Sequence, residues 1–331
     1  MYNLTIVITN HNRPKIILPV LDSIFSQSVQ GVDIDVLIID DYSTDAIDPK
    51  DLEQYKGKVN VHRLAQNHGV NAARKIGCAM ATGDFVMCAD DDDPFVEGGL
   101  QKAFDAIFSF ENWQNRSAFG FMRTNATSAP FEDFFFWDEA LFIKYRENYM
   151  SLGGDFVYIY QRKLCDFNFE TYEIAKTIGA ESYGVVRNFV KYYEPSKACP
   201  MWKIAVIQSG DADASVNRLT NINNALLKAN AFAAWQQAEI EEMEETGFDR
   251  KTPKYYRRRI KGLYIYLLLD NRRNEALRVL RTKPAGIGAK IFLSPLALLP
   301  PKAVFWLLKL YRKLFAAPLI RRIRIAIASK T

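Results

Sequence analysis

The apolar run Phe85-Val86-Met87-Cys88-Ala89 ends in four consecutive aspartates, Asp90 to Asp93, with Pro94 directly after them. Four adjacent like charges repel, and burying them unpaired is very costly. Either the run is a solvated acidic turn or something neutralises it. Its place at the end of a strand-like segment favours neutralisation. A divalent cation suits that task, because hard cations such as Mg²⁺ take carboxylate oxygens and substrate phosphates.

The same arrangement, an apolar run closed by polar residues, occurs three times. Leu4–Thr9 is short and β-branched and runs into Asn10-His11-Asn12-Arg13-Pro14. Val36–Ile39 reads as a buried strand and is closed by Asp40-Asp41-Tyr42-Ser43-Thr44-Asp45. Between these runs, residues 15–27 place Ile16, Ile17, Val20, Leu21, Ile24 and Phe25 on one helical face. Val59–Leu64 is a further candidate strand, and 70–81 and 96–108 read as helices. Strands alternating with helices predict an α/β layer fold around a mainly parallel sheet. Ligands of open α/β sheets bind at the carboxyl ends of the strands. Asn10, Asn12, Asp40, Asp41 and Asp90–Asp93 are therefore expected to converge in one crevice.

A length of 331 residues suggests about two domains. The charge is divided accordingly. Residues 250–331 hold 21 Lys/Arg and two acids, Asp270 and Glu275, whereas 1–249 hold 22 bases and 36 acids. An acidic body suits cations, and a basic tail suits an anionic surface. The four cysteines form no Cys-x-x-Cys pair, which disfavours a zinc site or a disulfide framework. Met1-Tyr2-Asn3-Leu4 runs straight into a strand without the pattern of an export signal. The expected location is therefore cytoplasmic.

In order and spacing, Ile6–Arg13, Asp40–Asp45, Asn67-His68-Gly69-Val70-Asn71-Ala72-Ala73-Arg74 and Ala81–Val86 leading to Asp90–Asp93 resemble the family 2 glycosyltransferases. The resemblance implies a GT-A, Rossmann-like fold over 1–215, followed by a C-terminal helical region over 216–331. It implies inverting, metal-dependent transfer from a UDP or dTDP sugar to a hydroxyl of a glycan or lipid-linked acceptor in cell-surface polysaccharide assembly. Thr9 and Asp41 would hold the nucleobase, with Asn10, Asn12 and Gly69 lining the donor site. Arg74 would meet the diphosphate, although its residue type is equally suited to a surface salt bridge. Asp90 and Asp92 would hold Mg²⁺ or Mn²⁺, Asp92 directly and Asp90 on the ribose side, while Asp91, also assigned to the donor site, points away from the ion and Asp93 either caps the following turn or supports the metal site. The general base falls on Glu181, with Asp155 and Asp166 in reserve. Ala180 stands where the family has an acid, which keeps open a non-catalytic nucleotide-sugar-binding or scaffold protein.

The aromatic run Phe134–Trp137 suits either a sugar platform or core. Residues 216–246 read as one long helix, and 253–283 as a helix pair with arginines on its outer faces. No apolar stretch reaches the ~18 residues of a membrane span. Residues 302–316 instead place Lys302, Lys309, Arg312 and Lys313 on one helical side, with Val304, Phe305, Leu308 and Leu314 elsewhere. This predicts peripheral contact with the inner face of the cell membrane. No base-reading module for nucleic acid is present.

Overall fold

The structure, a computed structural model, describes residues 1–124, 133–147, 156–165, 199–208 and 226–311. These fall into two compact units. The first comprises 1–142 together with 156–165 and 199–208, and the second comprises 143–147 and 226–311, each range taken over the described residues.

The first unit is built on an eight-stranded sheet. In chain order it contains β1 (Tyr2–Asn10), α1 (Ile17–Phe25), β2 (Val32–Asp40), β3 (Val59–Arg63), α2 (Val70–Met80), β4 (Phe85–Asp90), α3 (Gly99–Ser109), β5 (Ala118–Arg123), β6 (Phe134–Trp137), α4 (Glu139–Glu147), β7 (Phe156–Gln161) and β8 (Cys199–Ile207). Helix α4 runs on into the second unit. The strand order is β3-β2-β1-β4-β7-β5-β8-β6. The first four strands pair in parallel, as the sequence predicts. Beyond β4 the sheet is mixed, because β7 runs antiparallel to β4 and β5, and β6 runs antiparallel to β8.

The continuous apolar runs of β1, β2 and β4 follow from burial on both faces of the sheet. Side chains alternate across a strand. Leu4, Ile6, Ile8, Val36, Ile38 and Met87 therefore pack with α1 and α3 residues such as Val20, Leu21, Ile24 and Phe104. Val7, Leu37, Ile39 and Val86 pack on the other face with Ala73 and Cys78 of α2. The aromatic run becomes β6. Phe134 lies 5.2 Å from Trp202 and 5.9 Å from Phe110 between ring centroids, and Trp137 is buried, so packing accounts for most of it.

The second unit is helical. α5 (Ala229–Thr246) ends at Gly247, whose φ of 73° supplies the left-handed cap. The helix expected over 216–246 is thus seen from 229, and 216–225 lie outside the described residues. α6 (Pro253–Leu269) and α7 (Arg273–Thr282) form the expected pair, turned at Asn271. Glu147 Oε1 accepts the backbone N–H groups of Lys254 and Tyr255, at 2.8 and 3.0 Å, which satisfies two donors of the first turn of α6. One expectation is corrected: Arg259 is not on an outer face. Its Nε lies 3.1 Å from Glu239 Oε2, and its guanidinium covers the rings of Tyr255 and Trp235 at 4.7 and 4.9 Å. Glu239 and Glu242 of α5 are buried. α8 (Ile287–Leu293) and α9 (Pro301–Tyr311) complete the described chain.

Gly83 tests the tightness of the parallel half. A Cβ there would sit 2.8 Å from Asn3 O and from Thr5 N, which are backbone atoms unable to yield. Gly83→Ala is expected to cost about 1–3 kcal/mol, read as a lower denaturant midpoint with an unchanged slope.

Candidate active site

Strand register brings the polar ends together. In the parallel ladders Asn10 stands beside Asp40, and Thr9 beside Asp90. The carboxyl ends of β2, β1 and β4 are thus adjacent, and the residues expected in one crevice share one sheet edge.

The four aspartates are neutralised largely by arginine. Arg13, just beyond β1, donates from Nη1 to Asp91 Oδ1 at 2.8 Å and from Nη2 to Asp92 Oδ2 at 2.7 Å. Arg74, on α2, pairs with Asp90. Arg123, closing β5 on the far side of β7, pairs with Asp93 and reaches Asp90 Oδ2 at 3.2 Å. Four carboxylates facing three guanidiniums leave one formal negative charge.

The environments differ along the run. Asp91 is buried, and Asn10 Nδ2 donates to its Oδ2 at 2.8 Å. Burial, reinforced by the charges of Asp92 and Asp90, pushes the Asp91 carboxyl up to about 7 despite Arg13 and Asn10. Burial acts the same way on Asp90, but Arg74 and Arg123 outweigh it and hold that carboxyl at about 2. Asp92 is the most open, with 43 % of its side chain exposed.

Asp90, Asp92 and Asp93 bring one carboxylate oxygen each within 4.8 Å of one another. The donor set is all oxygen, and each carboxylate oxygen that accepts from an arginine retains a second lone pair. These residues therefore fit a hard divalent cation. Asp91 is not in the group, and Asp93 is.

The nucleobase-side residues are held by the backbone. Asp41 is buried and accepts the N–H groups of His68 at 2.6 Å and Gly69 at 2.7 Å, fixing the turn into α2. Gly69 has a φ of 79°, a conformation that disfavours any side chain there. Asn12 Oδ1 accepts from Thr44 N, Thr44 Oγ1 and Asp45 N at 2.7, 3.0 and 3.0 Å, so it clamps the loop after β2. His11 Nδ1 lies 2.8 Å from Asp41 O. Arg63, at the end of β3, donates to Asp40 Oδ2 at 3.3 Å and to Ser43 O at 2.7 Å, and its guanidinium lies 5.6 Å from the Tyr42 ring. Tyr42 is half exposed with a φ of 63°, unusual for a bulky residue.

The sequence reading assigned no role to Arg13 or Arg123. Arg13 belongs to the motif Ile6–Arg13, and Arg123 is the one cation ending the apolar strand Ala118–Met122. Arg74 meets a carboxylate in this structure. Glu181, Asp155 and Asp166 lie outside the described residues.

Residues 5–158 match the family model described as glycosyl transferase family 2. An uncharacterized glycosyltransferase, YwdF, of Bacillus subtilis (strain 168) is 33% identical over 99 residues, 30% of this chain and 36% of that protein. The poly(ribitol-phosphate) beta-N-acetylglucosaminyltransferase TarP of Staphylococcus aureus (strain N315) is 25% identical over 107 residues, 32% of this chain and 33% of that one. The poly(ribitol-phosphate) beta-glucosyltransferase of Bacillus spizizenii is 32% identical over 114 residues, 33% of this chain and 17% of that one. The match thus spans about a third or less of these relatives. The crystal structure of S. aureus TarS 1-349 with UDP-GlcNAc superimposes with a TM-score of 0.53 at 16% identity, covering 92% of this chain and 89% of that one. The fold is that of the GT-A glycosyltransferases. Within that class, the chain is similar to glycosyl transferase family 2 over residues 5–158.

Asp91 makes stability depend on pH. Its carboxyl titrates near 3.8 ordinarily and near 7 in the fold, so the native state holds the extra proton between these values. Its stabilising contribution is complete below about 3.8 and is lost as pH rises through about 7. Asp90 acts at the opposite end, stabilising above 3.8 and losing that contribution as pH falls toward about 2. In chelator, the melting temperature of the wild type should fall relative to Asp91→Asn between these two Asp91 values. Parallel curves would remove the titration from Asp91.

Proposed function

We propose that the protein is an inverting, divalent-cation-dependent glycosyltransferase that moves a sugar from a UDP or dTDP sugar to a hydroxyl of a glycan or lipid-linked acceptor in cell-surface polysaccharide assembly. The observation that carries this reading is the convergence of the Asp90, Asp92 and Asp93 carboxylates with Arg13, Arg74 and Arg123 at the sheet edge where Thr9, Asn10 and Asp41 also end. Two relatives act on poly(ribitol-phosphate), by their names, which supports an acceptor in a surface polymer.

In this reading Asp41 uses its remaining lone pairs to accept a pyrimidine N–H, and Thr9 flanks the base. Asn12 and Gly69 set the loops around the donor, and Asn10 fixes Asp91. Asp92 and Asp90, with Asp93, hold Mg²⁺ or Mn²⁺, which supplies Lewis-acid stabilisation of negative charge on the leaving diphosphate. Arg74 and Arg13 turn from the carboxylates to phosphate oxygens by charge-assisted hydrogen bonds. Glu181 takes the proton of the acceptor hydroxyl as that oxygen bonds to the anomeric carbon. The bond from that carbon to the diphosphate breaks, the anomeric configuration inverts, and the nucleoside diphosphate leaves. Residues 1–215 carry the chemistry, and 216–331 bring it to the inner face of the cell membrane.

Asp92→Ala is expected to lower transfer by about 10²-fold or more in an assay of UDP-sugar turnover with Mn²⁺. Undiminished turnover would remove the metal role. Glu181→Gln should abolish transfer while donor affinity stays within about twofold, because the base acts only in the transition state. Loss of donor affinity in that variant would make Glu181 structural. A wild type that binds donor yet never turns it over would favour the non-catalytic alternative, for which Ala180 beside Glu181 is the motivating feature.

A further inference from the structure

The last described helices are apolar on the side that faces solvent. In α8, Ile287 and Ile291 lie one turn apart and are 79 % and 63 % exposed, and the adjoining Phe292 is 80 % exposed. Leu298 follows at 83 %. In α9, Trp306 and Leu310 again lie one turn apart, at 66 % and 51 %, and Leu307 and Tyr311 extend the same face.

Among the described residues, the opposite side of the segment is the side that packs within its unit. Val304 of α9 is buried, as are Ala285 and Ala297, and Tyr264 of α6 donates its hydroxyl to Leu293 O at 2.7 Å. The structure therefore changes which residues form the outer face. Val304, placed by periodicity among the apolar contacts of a membrane helix, points inward. The outward apolar groups are Trp306, Leu307, Leu310 and Tyr311.

Charge selects the occupant. From Ala276 to Tyr311 the chain carries six Lys/Arg and no Asp or Glu. Two copies of such a face would bring like charges together, which disfavours self-association. Lys302 and Lys309 share a helical stripe with Trp306, and the Lys309 ammonium lies 5.4 Å from the Trp306 ring. Bulky aliphatic groups with Trp and Tyr, and lysines without acids, match the boundary between acyl chains and anionic headgroups. Among the described residues no helix is long and apolar enough to cross a membrane.

We propose that Ile287, Ile291, Phe292, Leu298, Trp306 and Leu310 form an insertion surface that seats α8 and α9 in the interfacial layer of an anionic lipid bilayer, with Lys302 and Lys309 engaging the headgroups. This deepens the membrane contact in the proposed function by assigning the inserting residues, and it does not depend on the transfer chemistry. It is tested without sugar donor.

The full chain is mixed with phosphatidylcholine vesicles with and without phosphatidylglycerol, and sedimentation is measured. Wild type should sediment with the anionic vesicles. Phe292→Ser/Trp306→Ser/Leu310→Ser should reduce partitioning by about tenfold or more. Lys302→Glu/Lys309→Glu should weaken binding to anionic vesicles and leave any binding to neutral ones unchanged. Tryptophan emission should shift to the blue on vesicle addition, and Trp306→Phe should remove most of that shift. Equal sedimentation of wild type and the triple serine variant would overturn the assignment. So would a wild-type dimer in vesicle-free solution that the triple variant abolishes, since the face would then belong to a second copy. Nucleotide binding measured on the same variants separates the two claims: it should stay at the wild-type level, and its absence from wild type would bear on the transfer reading alone.

Discussion

The site depends on the pairing of four carboxylates with three guanidiniums at one sheet edge. Without Arg13, Arg74 and Arg123, the run Asp90–Asp93 would place like charges where water is partly excluded, and removing one partner of such a pair is strongly destabilising. With them, the residual charge is small while the carboxylate oxygens keep lone pairs available. Such an edge can be stable by itself and still attract a cation accompanied by an anionic ligand. The pairing also differentiates the four residues: Asp90 is held ionised, Asp91 is buried against Asn10, and Asp92 is left most open.

The scaffold supplies those arginines from three separate elements. Arg13 follows β1, Arg74 rides on α2, and Arg123 closes β5. Short polar contacts help fix the loops between them. Asn12 holds the loop after β2, Asp41 holds the turn into α2, and Arg63 ties Asp40 to Ser43 O. Each contact satisfies backbone groups that would otherwise face a polar crevice unpaired. The left-handed Tyr42 sits within this network.

The elements of the parallel half were legible because their signals are local. Apolar runs mark β1, β2 and β4, and the spacing of Val20, Leu21 and Ile24 marks α1. The convergence of Asn10, Asp41 and Asp90 followed from topology alone. Pairings between residues far apart in sequence were not legible. Arg123 is separated from Asp93 by thirty positions and by an intervening strand. A guanidinium suited to phosphate is equally suited to carboxylate, so residue type could not tell which partner Arg74 meets. Periodicity likewise showed that α9 has two faces without showing which one packs, and the inward Val304 and outward Trp306 reversed part of the expectation. Arg259, expected on an outer face, likewise pairs with buried Glu239 on another helix.

In the proposed function the arginine-balanced carboxylates accept a cation together with a nucleoside diphosphate. Calorimetric titration of Mn²⁺ into the full chain, with and without saturating UDP, tests it most directly. Binding linkage requires each ligand to tighten the other by the same factor if they share the site. UDP is expected to raise Mn²⁺ affinity by about tenfold or more, after correction for Mn²⁺ bound by UDP in solution. Equal Mn²⁺ affinity in the two titrations would contradict it.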